Sequence, residues 1–218
     1  MLPTAKDTNS NQHSLLNISD SGSEELDDRS VIIVGNGASL LATQLGPEID
    51  AHDIVVRFNL FKIGKFAPYV GTKTTVWFNN RDAHSQQVKH LLKHHCFQQI
   101  YIHTWHDTSA AVQSFREGIE KNKRTTPVIG VDKRMIDQMR VFLGERYAMF
   151  STGAIGTWVM LQHYKRVTLA GFDWWHHPEK FHYGDDLKFN APPGRGHQPQ
   201  LEKLFFDKLA EQGRLSFK

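Results

Sequence analysis

The sequence has a single cysteine in 218 residues, Cys96, and it has no long run of apolar residues. One cysteine cannot form a disulfide within the chain, which excludes a disulfide-stabilised scaffold and indicates a reducing compartment, most simply the cytosol. No stretch approaches the roughly 20 consecutive apolar residues that a transmembrane helix needs. The first residues are polar and acidic, and they do not form a secretory signal.

The sequence also has little excess charge, because 26 Lys and Arg against 23 Asp and Glu leave a net charge of +3. The distribution is uneven: residues 1–30 hold six acidic and two basic side chains, a net charge of −4, so the remainder carries +7. A basic body favours anionic ligands or an anionic membrane surface, and an excess this modest does not call for nucleic acid. We predict a flexible acidic tail at residues 1–29 and one folded domain at residues 30–218.

Within that domain, short apolar β-branched runs alternate with segments of helical periodicity. Strands are predicted at residues 31–34, 53–58, 74–78, 99–103, 127–131 and 167–171, with a last edge strand at 214–217. Helices are predicted at residues 40–45, 85–95, 109–121, 133–142, 153–164 and 199–211. This alternation predicts a single α/β domain, with a mostly parallel open sheet and helices on both faces.

The first predicted strand ends in Gly35-Asn36-Gly37, a GxG pattern without the third glycine of a dinucleotide fingerprint. Glycines let the backbone approach a ligand closely, and the N-terminus of a following helix offers N–H groups to phosphate. A tight turn between strand and helix would explain the same residues. Because ligands of open α/β sheets bind beyond the carboxyl ends of the strands, this segment is a candidate site.

Three asparagines stand at the ends of predicted strands: Asn36, Asn59 and Asn79. An amide can donate to a phosphate oxygen and accept from a ribose hydroxyl. Each asparagine alone could be an ordinary turn residue. Three strand ends at one edge of a sheet, however, would bring three amides together, and this coincidence favours a nucleotide site.

Two later segments offer further candidates. Ser151-Thr152-Gly153 stands where a helix is predicted to begin, so it is either a simple N-cap or a site for phosphate or carboxylate. Gly171-Phe172 ends a predicted strand and opens an aromatic-rich segment, which either walls a base or sugar or belongs to the core.

His197 is the most informative of the 13 histidines, because it stands just before a helix that is predicted to begin at Pro199. A helix N-terminus disfavours the imidazolium, so the ring should stay neutral and able to accept a proton, as a general base requires. An ordinary loop histidine remains an alternative. The sequence has no HExxH motif and no second cysteine, so we predict no metal site.

Taken together, these segments resemble the sialylmotifs of glycosyltransferase family 29, the sialyltransferases. The matching segments are residues 34–37 with 48–59 for the large motif, residues 151–172 for the small motif, His182-Tyr183 for the third motif, and His197 with Glu202 for the very small motif. They occur in the family's order. Some of the same elements are similar to bacterial family 42 sialyltransferases.

The resemblance implies a single Rossmann-like domain, a variant of the GT-A-like glycosyltransferase fold. It also implies an inverting, metal-independent transfer from CMP-sialic acid, with no bound cofactor. It implies a donor site that includes Gly35, Asn36, Gly37, Asn59, Ser151, Thr152, Gly153, Gly171 and Phe172. Within that site Asn36 and Asn59 would bind the CMP half of the donor, with Gly171 and Phe172 at the cytidine. Ser151, Thr152 and Gly153 would hold either the donor phosphate or the sugar carboxylate. His182 would support the departing phosphate and His197 would be the base, whereas Asn79 matches a donor contact of family 42 only.

The sequence departs from the animal members of family 29, which join the large and small motifs by a disulfide and carry a membrane anchor. Cys96 has no partner and lies outside both motifs. We therefore expect a cytoplasmic enzyme, either free or peripheral at the inner face of the membrane, with a glycan or glycolipid as acceptor.

Three other interpretations remain open. The first is a transferase of another CMP-linked acid sugar, such as Kdo. The second is an NAD-dependent oxidoreductase, disfavoured because Asn59 stands where an acidic residue should hold the ribose. The third is a non-catalytic module that binds nucleotide or glycan.

Overall fold

The computed structural model describes residues 25–104, 107–174, 182–184 and 198–218. Its strands are β1 (Val31–Val34), β2 (Ile54–Phe58), β3 (Val76–Asn79), β4 (Gln99–Ile102), β5 (Val128–Gly130), β6 (Val167–Ala170) and β7 (Leu215–Phe217). They form one sheet in the order β5-β4-β3-β2-β1-β6-β7, and every neighbouring pair is parallel. The predicted single α/β domain is confirmed, and the sheet is parallel throughout rather than mostly so.

The described helices are α1 (Gly46–Ala51), α2 (Ala67–Val70), α3 (Gln86–His94), α4 (Thr108–Lys121), α5 (Lys133–Leu143), α6 (Thr152–His163) and α7 (Pro199–Glu211). Short helical turns of 3₁₀ type cover Ala38–Ala42 and Gly64–Phe66. For most elements, both predicted ends lie within one or two residues of the observed ends, which is the ordinary uncertainty of such boundaries.

Helices cover both faces of the sheet. Neighbouring residues of each strand point to opposite sides, so successive side chains pack against different helices. Ile33 of β1 packs into a cluster with residues of α5, α6 and α7. Its neighbour Ile32 packs on the other face against residues of α1 and α2, and further along that face β3 and β4 meet α3 and α4. A strand buried on both sides must be apolar at successive positions, which is why β1 reads as an unbroken Val-Ile-Ile-Val run.

The helix predicted at residues 40–45 is wrong. Thr43 closes the preceding 3₁₀ turn by donating from its N–H and its Oγ1 to the carbonyl of Leu40, at 3.2 and 2.9 Å. The chain then starts a new helix, α1, with Pro47 in its first turn. Proline suits that position because a first-turn N–H has no intrahelical partner in any case. The unpredicted α2 also has a proline, Pro68, in its first turn.

Described residues before the predicted boundary at residue 30 already contact the domain. The N–H of Asp27 donates to the carbonyl of His163 at 2.9 Å, and the carbonyl of Asp27 accepts from the N–H of Lys165 at 3.1 Å. The guanidinium of Arg29 lies over the ring of Tyr164, 5.7 Å from its centroid.

None of the described helices is both long enough and apolar enough to serve as a membrane span.

Candidate active site

The order of the strands places a crevice beside β1. The chain passes from β1 through β2, β3 and β4 to β5, and then returns to add β6 on the other side of β1. In open α/β sheets such a switch in direction leaves a crevice at the carboxyl ends of the strands, where ligands bind. A cleft of about 280 Å³ lies there, and it is lined by the exits of β1, β2, β3, β4 and β6 and by the starts of α6 and α7.

The exits of β1 and β6 are joined backbone to backbone. The N–H of Gly35 donates to the carbonyl of Ala170 at 2.8 Å, and the N–H of Gly37 donates to the carbonyl of Gly171 at 2.9 Å. A Cβ on Gly35 or Gly37 would lie 2.3 or 2.5 Å from the Gly171 carbonyl oxygen, far inside normal contact distance. The close approach predicted for these glycines is therefore, in the first place, an approach between two loops of the protein. Both loops line the cleft.

Two of the three predicted asparagines line the cleft. Asn36 donates from its Nδ2 to the carbonyl of Phe58 at 3.4 Å, a long hydrogen bond. Asn59 adopts a left-handed conformation with a φ of 47°, and its Oδ1 accepts from the N–H of Asn80 at 3.0 Å. Both residues belong to the lining of the cleft.

Asn79 does not reach the cleft. It is the last residue of β3, which runs one residue further than predicted, and it is 0% exposed. Its Nδ2 donates to the carbonyl of Arg81 at 2.9 Å. Asn80 and Arg81 line the cleft at the place where the sequence put Asn79.

The segment Ser151-Thr152-Gly153 opens α6 at the cleft, as predicted. Ser151 is the N-cap, and its Oγ accepts from the N–H of Ala154 at 3.2 Å. The first N–H groups of any α-helix lack intrahelical partners, and the helix dipole adds partial positive charge there. Thr152 and Gly153 therefore bring an anion-binding helix terminus to the cleft.

Ser151 itself is already engaged by Glu202, from the first turn of α7. The carboxylate of Glu202 accepts from the N–H of Ser151 at 2.6 Å and from its Oγ at 2.8 Å. Glu202 is 3% exposed, and burial raises its pKa to about 7 although the bonds from Ser151 act in the opposite direction. The N–H and the hydroxyl of Ser151 thus both donate to another side chain of the protein. The N–H groups of Thr152 and Gly153 are the ones in this segment that can bind a ligand.

The short segment 182–184 crosses the exit of β1. His182 pairs with Gly37 in an isolated antiparallel bridge, and the N–H of Tyr183 donates to the carbonyl of Asn36 at 2.9 Å. Tyr183 is buried, and its hydroxyl donates to the carbonyl of Lys62 at 2.7 Å and accepts from the Lys62 N–H at 3.1 Å. The tyrosine therefore anchors the segment, and His182 lines the cleft.

His197 lies outside the described residues. Its neighbour in sequence, Gln198, is the N-cap of α7, and its Oε1 accepts from the N–H of Met149 at 2.8 Å. Together with Glu202, this bond fixes the start of α7 against the start of α6.

Eight residues of the described lining were not predicted as site residues, and four of them have ionisable side chains: Arg81, His103, Asp173 and Glu202. His103 follows β4, is 3% exposed, and has its pKa lowered to about 4 by burial and by the charge of Lys133, so it is neutral near pH 7. Asp173 accepts hydrogen bonds from the N–H and the hydroxyl of Ser39. The position of His103 just after an apolar strand was a usable signal, because it matches the rule that singled out the asparagines.

Phe172 packs against the core and also lies at the cleft. Its ring packs edge-on against Phe58 and Phe206, with centroids 6.3 and 5.4 Å away. Among the described residues, no group of three or more His, Cys, Asp or Glu side chains is arranged to hold a metal ion.

Comparison with known proteins gives a consistent result. The model of one protein family, glycosyltransferase family 29 (sialyltransferase), matches residues 5–214. Sialyltransferase-like protein 2 of Oryza sativa subsp. indica is 46% identical over 52 residues, which cover 24% of this chain and 13% of that protein. The human CMP-N-acetylneuraminate-beta-galactosamide-alpha-2,3-sialyltransferase 4 is 25% identical over 214 residues, which cover 86% of this chain and 63% of that protein. The chain thus spans 13% to 63% of the length of these two relatives.

The fold is shared with a solved structure. A mammalian sialyltransferase superposes on the chain with a TM-score of 0.62 at 21% sequence identity, over 88% of this chain and 69% of that one.

Proposed function

Because the chain belongs to glycosyltransferase family 29, we propose that it transfers sialic acid from CMP-sialic acid to a hydroxyl group of an acceptor glycan or glycolipid. The observation that carries the proposal is the cleft, because described residues of all four motif segments line it. They are Gly35, Asn36, Gly37 and Asn59 of the large motif, Ser151, Thr152, Gly153, Gly171 and Phe172 of the small motif, His182 of the third and Glu202 of the very small motif.

The cytidine half of the donor is assigned to the exits of β1, β2 and β6. The Oδ1 of Asn59 is bound to the N–H of Asn80, whereas its Nδ2 has no partner among the described residues and can donate to the donor. Asn36 makes only a long bond through its Nδ2, which leaves its Oδ1 to accept from a ribose hydroxyl. The aromatic ring of Phe172 lies in the same part of the lining.

The donor phosphate is assigned to the N-terminus of α6. Thr152 and Gly153 present first-turn N–H groups there, and a helix terminus of this kind stabilises anions without a metal ion. His182 lies at the β1 exit, where it can donate a hydrogen bond to the phosphate as negative charge develops on it. We propose on this basis that transfer needs neither a divalent cation nor another cofactor.

The proposed reaction is a single inverting displacement. The acceptor oxygen forms a bond to the anomeric carbon from the face opposite to the phosphate, and the bond from that carbon to the phosphate oxygen breaks. The electron pair of the broken bond stays with CMP, and the proton of the acceptor hydroxyl passes to His197 as general base. The role of His197 rests on its position in the sequence motif. The cytoplasmic location also remains a proposal from the sequence.

The direct test is release of CMP from CMP-sialic acid in the presence of a galactoside acceptor and EDTA. We expect the wild-type chain to remain active in EDTA, and we expect His197→Ala to lose about 10²–10⁴-fold in rate, the usual contribution of a general base. His94→Ala, a change of an exposed histidine on α3, is the matched control and should leave the rate unchanged.

Each alternative outcome has a clear meaning. Near-wild-type transfer by His197→Ala would remove that residue as the base, and strict dependence on added Mg²⁺ or Mn²⁺ would contradict the metal-free mechanism. Faster turnover of CMP-Kdo would assign the other acid sugar. Binding of CMP without turnover of either donor would favour a non-catalytic module.

A further inference from the structure

The exit of β3 presents a cation to the cleft. Arg81 is exposed and lines the cleft, and its side chain forms no ion pair or hydrogen bond with the described part of the chain. Arg57, near the end of β2, is different, because its side chain is buried and donates hydrogen bonds to backbone carbonyls.

The backbone of Arg81 is held in place from three directions. Its carbonyl accepts from the buried Nδ2 of Asn79 at 2.9 Å. The preceding N–H, that of Asn80, donates to Asn59 at the β2 exit at 3.0 Å, and the carbonyl of Asn79 accepts from the N–H of His103 at the β4 exit at 3.1 Å. A buried amide is costly unless it is hydrogen-bonded, so these contacts specify the turn rather than merely permit it. The result is a fixed backbone that carries an exposed arginine at the cleft.

The charges of the cleft leave this guanidinium without a counter-ion from the described residues. The two acidic side chains of the described lining are Asp173 and Glu202, and they already accept hydrogen bonds from Ser39 and Ser151. His103, which also lines the cleft, is kept neutral near pH 7 because burial lowers its pKa to about 4. An anionic ligand group would complete the pairing, and a guanidinium fork matches a planar carboxylate in a two-bond geometry.

The order of the strands places this position beyond the exits assigned to the nucleoside. Parallel strands lie about 4.8 Å apart, so the β3 exit is about one strand spacing from the β2 exit and roughly 10 Å from the β1 exit. Arg81 therefore lies on the far side of the nucleoside contacts, toward the transferred sugar or the acceptor.

We infer that Arg81 recognises a carboxylate at the β3 side of the cleft. The inference rests on the proposed function, because an acid-sugar donor carries a carboxylate on its anomeric carbon. An acidic acceptor, such as a glycan that already ends in an acid sugar, is the second source of the same group.

The test compares Arg81→Gln with Arg146→Gln, which removes the same charge from an exposed position after α5. Affinities for CMP and for CMP-sialic acid are measured by calorimetry in EDTA without acceptor, and KM values are measured for a neutral and for a sialylated acceptor. If the donor supplies the carboxylate, Arg81→Gln should bind CMP-sialic acid about 10-fold more weakly and CMP unchanged, consistent with loss of a charge-assisted hydrogen bond. If the acceptor supplies it, donor affinity is unchanged and only the KM of the sialylated acceptor rises about 10-fold.

Other results overturn the inference. Equal loss of affinity for CMP and for CMP-sialic acid would place Arg81 on the nucleotide, and no change in any of the four quantities would remove it from recognition. Arg81→Lys, which keeps the charge but not the fork, should recover part of the lost affinity, and Arg146→Gln should behave as the wild type. If the wild-type chain itself binds neither CMP nor CMP-sialic acid, the proposed function fails and the inference fails with it.

Discussion

The two sides of the cleft are built by different means. On one side, which we call the glycine side, the exits of β1 and β6 pack backbone against backbone through Gly35, Gly37 and Gly171. On the other, the amide side, the Oδ1 of Asn59 joins the exit of β2 to that of β3, and the Nδ2 of Asn79 holds the turn of the β3 exit. A backbone hydrogen bond from His103 to Asn79 joins the β4 exit to them. Tolerance to substitution should therefore be limited by steric fit on the glycine side and by hydrogen bonding on the amide side.

The largest effect is expected on the glycine side. In Gly35→Ala the added Cβ would lie 2.3 Å from the Gly171 carbonyl oxygen, and because the obstacle is backbone the loops must move apart. We expect a loss of about 3 kcal/mol in the free energy of unfolding, the upper range for overpacking, measured by urea denaturation.

The matched control is Gly118→Ala, within α4. Its Cβ would meet only the end of the flexible Leu92 side chain, at 3.0 Å. Since alanine favours a helix interior by about 1 kcal/mol over glycine, this change should be neutral or stabilising. Equal stability of Gly35→Ala and the wild type would show that the two loops are not packed as described.

The second effect is a pair of opposite pH dependences in the lining of the cleft. The pKa of Glu202 is near 4.5 in the unfolded chain and about 7 in the folded one. Between these values the folded state holds a proton that the unfolded state releases, so the free energy of unfolding falls as pH rises. The pKa of His103 is near 6.5 in the unfolded chain and about 4 in the folded one. Here the unfolded state holds the extra proton, so the free energy of unfolding rises from pH 4 to 6.5. Each contribution is at most about 3 kcal/mol, and between pH 4.5 and 6.5 they oppose each other.

Single substitutions should separate the two contributions. Relative to the wild type, Glu202→Gln should gain stability steadily as pH rises from 4.5 to 6.5, and His103→Gln should lose it. Urea unfolding at pH 4.5, 5.5 and 6.5 measures both slopes. Profiles that run parallel to the wild type would mean that neither group titrates differently in the folded state.

The smallest effect is expected on the amide side. Asn79→Ala removes the hydrogen bond to the Arg81 carbonyl, but it also removes a buried Oδ1 that has no partner among the described residues. The two changes offset each other, so we expect a loss of about 1 kcal/mol or less. Affinity for CMP-sialic acid should still fall a few-fold, because the turn that carries Arg81 is loosened. A loss of 3 kcal/mol would show that the amide side is as intolerant as the glycine side.

The contrast between the two sides also explains what the sequence could predict. Gly35 and Gly37 follow a Val-Ile-Ile-Val strand, so both the strand and the special turn after it were visible in the local pattern. The role of Asn79 depended on whether β3 ends at Phe78 or one residue later, and its pairing with Ile102 of β4 extends the strand to Asn79. A shift of one residue turns a side chain from the cleft into the interior.

The wall formed by α6 and α7 could be foreseen only in part. The start of α7 at Pro199 and the N-cap Ser151 followed from local signals. The contact between Ser151 and Glu202 joins residues 51 positions apart, and nothing in either segment states that they meet. The raised pKa of Glu202 follows from that burial, so it was equally invisible in the sequence.

The central claim is that one cleft binds the CMP half of an acid-sugar donor. It is tested most directly by calorimetric titration of the wild-type chain with CMP in EDTA, with UDP and NAD⁺ titrated separately as controls. CMP is common to every donor of this class, so the result does not depend on the identity of the sugar. We predict that CMP binds in EDTA and that UDP and NAD⁺ bind at least about 10-fold more weakly, a difference of about 1.4 kcal/mol. No binding of CMP, or a preference for NAD⁺, would contradict the assignment of the cleft.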